Sequence, residues 1–233
     1  MIKAILFDFG QTLVDSSQGF RQAENRAQGI IYQDLELKSW SEFKVYYRSA
    51  RNEFQDNSNF SRFDLWEAVY NHFQREVDEE ALRQMESDYW RTVEKYTLPF
   101  PETGYVLEEL TKSFPLGMIT NTQGQPNSND HRLTQYPGIE KFFTEIIIAG
   151  SDDIPPKPHQ KPFQLCLADL GLHPSEAIFV GDDWYKDIIG AKETGLKPIW
   201  LKHYTVNRNW PEVEANVPVI FSLEELLSLE TLG

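Results

Sequence analysis

Ile2-Lys3-Ala4-Ile5-Leu6-Phe7-Asp8-Phe9-Gly10-Gln11-Thr12-Leu13 is an apolar, β-leaning run that ends in a carboxylate and passes at once into a turn. Open α/β sheets gather their ligands at the carboxyl ends of strands, and the pattern puts Asp8 at such an end. A carboxylate held there can attack phosphorus and carry a phosphoryl group as an aspartyl phosphate. Two residues further on, Gly10 offers no side chain for moving protons.

Outward from this strand the pattern changes character twice. Residues 2–7 read as a strand, and from about 16 to 97 the chain is aromatic-rich and helical in period. Helices are expected over about 17–33, 38–56, 60–77 and 78–96, with Ser39 and Ser61 at N-cap positions and a turn at Asn57-Ser58-Asn59. Four such helices make a bundle-like module, residues 16–97. Its recurring aromatics, Trp40, Tyr46, Tyr47, Trp66, Phe73, Tyr89 and Trp90, fall at helical spacings and read as core. Beyond Pro99 and Pro101 strand and helix alternate: a helix at 102–113, strands at 115–120 and 144–149, a helix at 160–171, a strand at 177–180, a helix at 187–194 and a strand at 197–201. A short strand and helix near 217–229 close the chain. Strands separated by helices imply a parallel sheet covered on both faces. The expected fold is therefore α/β, a doubly wound parallel sheet made of residues 1–15 and 98–233, with an all-helical insert after the first strand.

Bulk composition excludes several classes. Acidic residues outnumber basic ones 36 to 22, for a net charge of −14 and a pI near 4.8. Such a surface repels nucleic acid and anionic membranes, which argues against both as partners. A small anion could still bind where a lysine and a metal supply local positive charge. The single cysteine, Cys166, cannot form an internal disulfide and sits in an apolar helical stretch as a buried thiol. No basic leader followed by an apolar core opens the sequence, and no run approaches ~18 apolar residues, so a soluble, cytoplasmic protein is expected.

Three further strand ends carry polar residues. Thr120-Asn121 ends the strand at 115–120, where a hydroxyl and turn amides suit a phosphate oxygen, although this pair also fits plain turn chemistry. Lys157 lies in Pro155-Pro156-Lys157-Pro158-His159, where flanking prolines restrict the backbone and help to aim the lysine. Lys161 is its rival, and either alone reads as a solvated loop charge. The strand at 177–180 runs into Gly181-Asp182-Asp183-Trp184-Tyr185-Lys186-Asp187, a carboxylate cluster at a strand-to-helix junction. Hard oxygen ligands of this kind suit Mg²⁺. Helix-capping and first-turn acids are the plainer alternative for any one of them. Asp8-Phe9-Gly10 also spells the kinase metal motif, but no glycine-rich or catalytic loop precedes it, so that match is coincidental.

In this order and spacing, the four segments resemble the haloacid dehalogenase superfamily, across a core of about 150 residues. The helical insert resembles the cap of the subfamily containing phosphoglycolate-phosphatase-like enzymes. Asp8-Phe9-Gly10-Gln11-Thr12-Leu13 matches the nucleophile motif except at Gly10, where a second aspartate usually stands. Thr120 matches the second motif, Lys157-Pro158-His159 the third, and Gly181-Asp182 with Asp187 the fourth; spacing to Phe163 selects Lys157 over Lys161.

The resemblance implies a Rossmann-like core, a Mg²⁺-dependent phosphatase acting on a small phosphorylated metabolite, and a monomer or homodimer. By it Asp8 is the nucleophile, and Thr120 and Lys157 hold the charge of the transferring group. Asp8, the Gly10 carbonyl, Asp182 and Asp187 serve the metal, Asp187 through water or by orienting Lys157. Gln11, Asn121, Gln18 and Arg21 are candidate substrate contacts, with Arg51 or Arg62 as further cations of the insert, and a solvated helix charge is the plainer reading of each of these insert residues. With Gly10 the carbonyl is retained and the proton donor lost, and Gln11 cannot replace it because an amide gives up no proton near neutral pH. General acid–base help is worth ~10²–10⁴-fold, so aryl and acyl phosphates, whose leaving groups need no proton, are expected to outpace sugar phosphates. Dehalogenation, phosphonate cleavage with Lys38 or Lys44 as Schiff base, and capture of a phosphorylated ligand without turnover are the alternatives.

Overall fold

The computed structural model of the protein describes residues 1–57, 59–124, 132–150, 153–206, 209–213 and 216–229. It separates into two compact units, one of Met1–Asp15, Leu98–Thr122 and His131–Gly233, the other of Ser16–Thr97 and Gln123–Asp130.

The first unit is built on a six-stranded sheet. Its strands are β1 (Ala4–Phe7), β4 (Leu116–Asn121), β5 (Glu145–Ala149), β6 (Ala177–Gly181), β7 (Lys197–Leu201) and β8 (Val219–Ile220). Their order is β5-β4-β1-β6-β7-β8 and all five pairings are parallel. The expected doubly wound sheet is present, with β1 at its centre. The alternation of β1 explains the layers: Ile5 and Phe7 join Val106, Leu107, Leu110 and Met118 on one face. Ala4 and Leu6 join Phe163, Cys166 and Phe179 on the other. Helices α5 (Thr103–Thr111) and α7 (Gln160–Asp169) supply these covers, and between them in the chain lies the short α6 (Pro137–Glu140). Cys166 is fully buried, as its apolar setting predicts, and burial pushes its thiol up to about 12, so it is inert.

Two features escaped the sequence reading. Val14–Asp15 (β2) and Leu98–Pro99 (β3) pair as an antiparallel ribbon, too short to leave any periodicity. After β6 the chain forms a π-helical turn, Trp184–Ile189, before α8 (Gly190–Thr194), so this helix begins three residues before the expected 187. Asp183 caps the turn, its carboxylate accepting from the amides of Tyr185 and Lys186 at 3.0 Å each.

The second unit holds four helices, α1 (Ser17–Asp34), α2 (Trp40–Asp56), α3 (Arg62–His72) and α4 (Glu79–Lys95). Ser39 and Ser61 cap α2 and α3, accepting from Glu42 N at 3.3 Å and Asp64 N at 3.1 Å. In the expected turn after α2, Ser58 lies outside the described residues. The predicted helix over 60–77 is too long at its end: α3 stops at His72, and Gln74 turns the chain with φ of 56°. No glycine or proline marks that stop, because Gln74 itself adopts the left-handed conformation. Tyr47, Trp66, Tyr89 and Trp90 are core residues, and Tyr46 and Phe73 pack against them. Trp40 departs from the expectation: it is 41% exposed and meets Tyr32 edge-on at 4.9 Å. Among the described residues no helix is long and apolar enough to cross a membrane.

Candidate active site

At the carboxyl edge of the sheet the ends of β1, β4 and β6 converge with the loop before α7. Asp8 follows β1, its amide bonding Val180 O at 2.9 Å across the start of the turn. The turn then closes tightly: Leu13 N reaches Phe9 O at 2.9 Å and Gln11 N reaches Val14 O at 2.7 Å. Gln11 takes the sharpest corner, with φ of 62°. Gly10 forms an isolated bridge with Val14. Thr12, fully buried, donates to Asp8 Oδ2 at 3.3 Å.

Lys157 is the hub. Its Nζ donates to Asp8 Oδ1, Asp187 Oδ1 and the Ile119 carbonyl, each at 2.7 Å. That carbonyl is open to it because the β1–β4 ladder ends at the pair Phe7↔Met118, one residue earlier. The Lys157 side chain is 2% exposed. Burial by itself would lower the ammonium pKa, but Asp187 and Asp8 outweigh it and hold the lysine charged, above its ordinary range. The expected rival is elsewhere: Lys161 Nζ bonds the carbonyl of Asp153.

Asp187 is placed by its close approach to Gly181. A β-carbon on Gly181 would lie 2.5 Å from Asp187 Cβ and Oδ2, so only glycine lets the carboxylate settle over the end of β6. Its other oxygen, Oδ2, accepts from Asp183 N at 2.9 Å. Burial, with Asp8 and Asp183 adding to it against Lys157, pushes the Asp187 carboxyl up to about 7. Asp182 is buried beside it, and its carbonyl accepts from Trp200 Nε1 at 2.9 Å.

Carboxylate oxygens of Asp8, Asp182 and Asp187 lie within 4.8 Å of one another. One lysine against three carboxylates leaves a surplus of negative charge on hard oxygen donors. Such a donor set fits a small divalent cation such as Mg²⁺. Asp183, by contrast, serves as the cap described above, the plainer of the two readings open to this run of acids.

The remaining expected site residues divide. Thr120 is buried at the end of β4, and Asn121 beside it turns its amide to the main chain of Lys157. Gln18 and Arg21 belong to the helical unit, where both stand exposed on α1; Lys38 and Lys44 are exposed there as well. Sequence reasoning missed Thr12, although the quoted turn contains it, and missed the Ile119 carbonyl, a main-chain atom that no residue type announces.

Comparison with known proteins agrees with this geometry. The pattern of the haloacid dehalogenase-like hydrolase family matches residues 2–195. Phosphoglycolate phosphatase of Yersinia pestis is 29% identical over 203 residues, covering 87% of this chain and 82% of that protein. Glyceraldehyde 3-phosphate phosphatase of Pyrococcus abyssi is also 29% identical, over 212 residues, with the same coverage of 87% and 82%. Among solved structures, the 2-haloacid dehalogenase of Pseudomonas syringae shares the fold, with a TM-score of 0.69 at 23% identity over 98% of this chain and 97% of that one. The chain belongs to the haloacid dehalogenase-like hydrolase family.

Proposed function

We propose that this haloacid dehalogenase-like hydrolase is a Mg²⁺-dependent phosphatase that acts on a small phosphorylated metabolite through an aspartyl phosphate on Asp8. The observation that carries the reading is Lys157 Nζ, held at 2.7 Å from both Asp8 and Asp187. A phosphoryl group brought to Asp8 adds negative charge to a site already rich in it, and a buried ammonium fixed at that point offsets the charge as it develops. Similarity to two phosphatases with different named substrates supports phosphate ester hydrolysis without choosing between them.

Asp8, Asp182 and the Gly10 carbonyl would hold Mg²⁺, with Asp187 orienting Lys157 or holding a water of the ion. When bound, the ion supplies Lewis-acid neutralisation of phosphate oxygens. Asp8 attacks phosphorus in line, the P–O bond to the leaving group breaks, and water then attacks phosphorus to free phosphate and regenerate the carboxylate. Lys157 orients the Asp8 carboxylate by holding Oδ1, and Thr120 presents its hydroxyl to the phosphoryl oxygens. Gln11, Gln18 and Arg21 are the proposed substrate contacts. The protein would work in the cytoplasm, alone or as a homodimer, with neither nucleic acid nor membrane as partner.

Gly10 sets the substrate preference in this reading. With no side-chain acid there, the leaving group departs unprotonated, which a phenolate or carboxylate tolerates and an alkoxide does not. Turnover of p-nitrophenyl phosphate against glycerol phosphate, in the wild type and Gly10→Asp, tests it. The wild type should favour the aryl ester, and Gly10→Asp should narrow the gap by raising alkyl turnover. Equal wild-type rates on both would refute the missing-acid argument. Capture without turnover, the reading that Gly10 also favours, predicts phosphate-ester binding with no Asp8-dependent hydrolysis.

A further inference from the structure

We propose that Asn121 is a positioning residue: its side-chain amide clamps the main chain of Lys157 and so fixes the root of the lysine whose head meets Asp8. Lys157 N–H donates to Asn121 Oδ1 at 2.9 Å, and Asn121 Nδ2 donates to the Lys157 carbonyl at 3.2 Å. The two bonds read both main-chain groups of one residue, as a neighbouring strand would. Lys157 needs this because it sits in a loop, outside any helix or strand, with its main chain buried. Buried main-chain groups that no secondary structure satisfies must find side chains. Among the described residues Asn121 is their partner.

The strand β4 thereby holds Lys157 at both ends. Ile119 O takes the ammonium at 2.7 Å and Asn121, two residues along, takes the backbone. Between those points lie the four rotatable bonds of the lysine stem. Fixing the head alone leaves the loop free to shift, and fixing the root alone leaves the stem free to swing. Held at both ends, the lysine keeps its ammonium on Asp8 and Asp187 at little cost in freedom when substrate arrives. An Asn121 engaged in this way acts on the reaction through Lys157 and does not itself meet the phosphate.

The inference rests on the catalytic reading of Lys157, and its test keeps the two apart. Native wild type, Asn121→Ala and Asn121→Asp are treated with a limiting amine-acylating reagent. Peptide mass spectrometry then compares Lys157 with the half-buried control Lys161, while thermal melts confirm folding. Asn121→Ala should raise Lys157 acylation by about tenfold or more, through local opening, and leave Lys161 unchanged. Asn121→Asp keeps an acceptor for the Lys157 amide but loses the donor to its carbonyl, and should fall between. With p-nitrophenyl phosphate and Mg²⁺, Asn121→Ala should lower kcat by about 10–100-fold with KM within about threefold. Unchanged Lys157 protection in a folded Asn121→Ala protein overturns the clamp, as does a raised KM with kcat intact, the mark of a substrate contact. Should the wild type turn over no phosphate ester, the phosphatase reading fails, and the acylation arm still decides the clamp by the same two results.

Discussion

The sheet unit and the helical unit each hold a cluster of charged side chains, buried in the first and partly exposed at Arg51 in the second, and the clusters are composed in opposite ways. At the sheet edge one lysine faces Asp8, Asp182 and Asp187, and its contacts to Asp8 and Asp187 are 2.7 Å. In the helical unit two arginines face one glutamate, Arg51 and Arg62 lying 3.9 Å and 4.0 Å from Glu24. Tyr89 donates to Glu24 at 3.2 Å, and its own ring lies 5.2 Å beneath the Arg62 guanidinium. Burial raises the Tyr89 pKa, which keeps its phenol protonated as the donor. The difference teaches what each cluster is for. Short contacts with an excess of carboxylate concentrate negative charge on oxygens that a cation and a phosphoryl group can use. Long contacts padded by aromatic rings hold helices together and offer no reacting atom.

Three substitutions test that contrast. Lys157→Met should strike hardest, lowering turnover of p-nitrophenyl phosphate by about 10²–10³-fold. Without Mg²⁺ it should also destabilise the fold by about 3–5 kcal/mol, because two buried carboxylates lose their cation. Denaturant melts with and without Mg²⁺ and steady-state kinetics read both effects. Gly181→Ala should come next: its β-carbon at 2.5 Å from Asp187 forces the carboxylate off Lys157. The expected cost is about 1–3 kcal/mol of stability together with a loss of at least ~10-fold in kcat. Normal activity in that variant would separate Asp187 from the reaction. Tyr89→Phe should be mildest in its reach, costing about 1–2 kcal/mol in a thermal melt while kcat stays at the wild-type value. A changed kcat there would blur the distinction between the clusters.

Much of the sheet unit was legible because topology does the work. An apolar strand ending in Asp8, and others ending at Thr120 and Gly181-Asp182, must deliver those residues to one edge when all strands run parallel. The hub contacts were less legible. Lys157 could be selected over Lys161 only through family spacing, and one of the three partners that separate them physically, Ile119 O, is a backbone atom. Asn121 reads as a candidate substrate contact in the sequence, and its two bonds to the main chain of Lys157, 36 residues later, leave no mark on a strand end. In the helical unit the periodicity gave helices and core aromatics. It gave no stop for α3, since Gln74 turns without glycine, and it placed Trp40 too deep. Gly181 carried a signal of another kind, a close approach by a residue six positions on, which only packing reveals.

The central claim is that Asp8 is a phosphoryl acceptor in a site completed by Mg²⁺. Fluorine NMR of the protein with beryllofluoride, which mimics an aspartyl phosphate, tests it most directly. The account predicts a saturable bound signal that requires Mg²⁺, appears in the wild type and is absent in folded Asp8→Asn. No bound signal in the wild type, or one that survives Asp8→Asn, would contradict it.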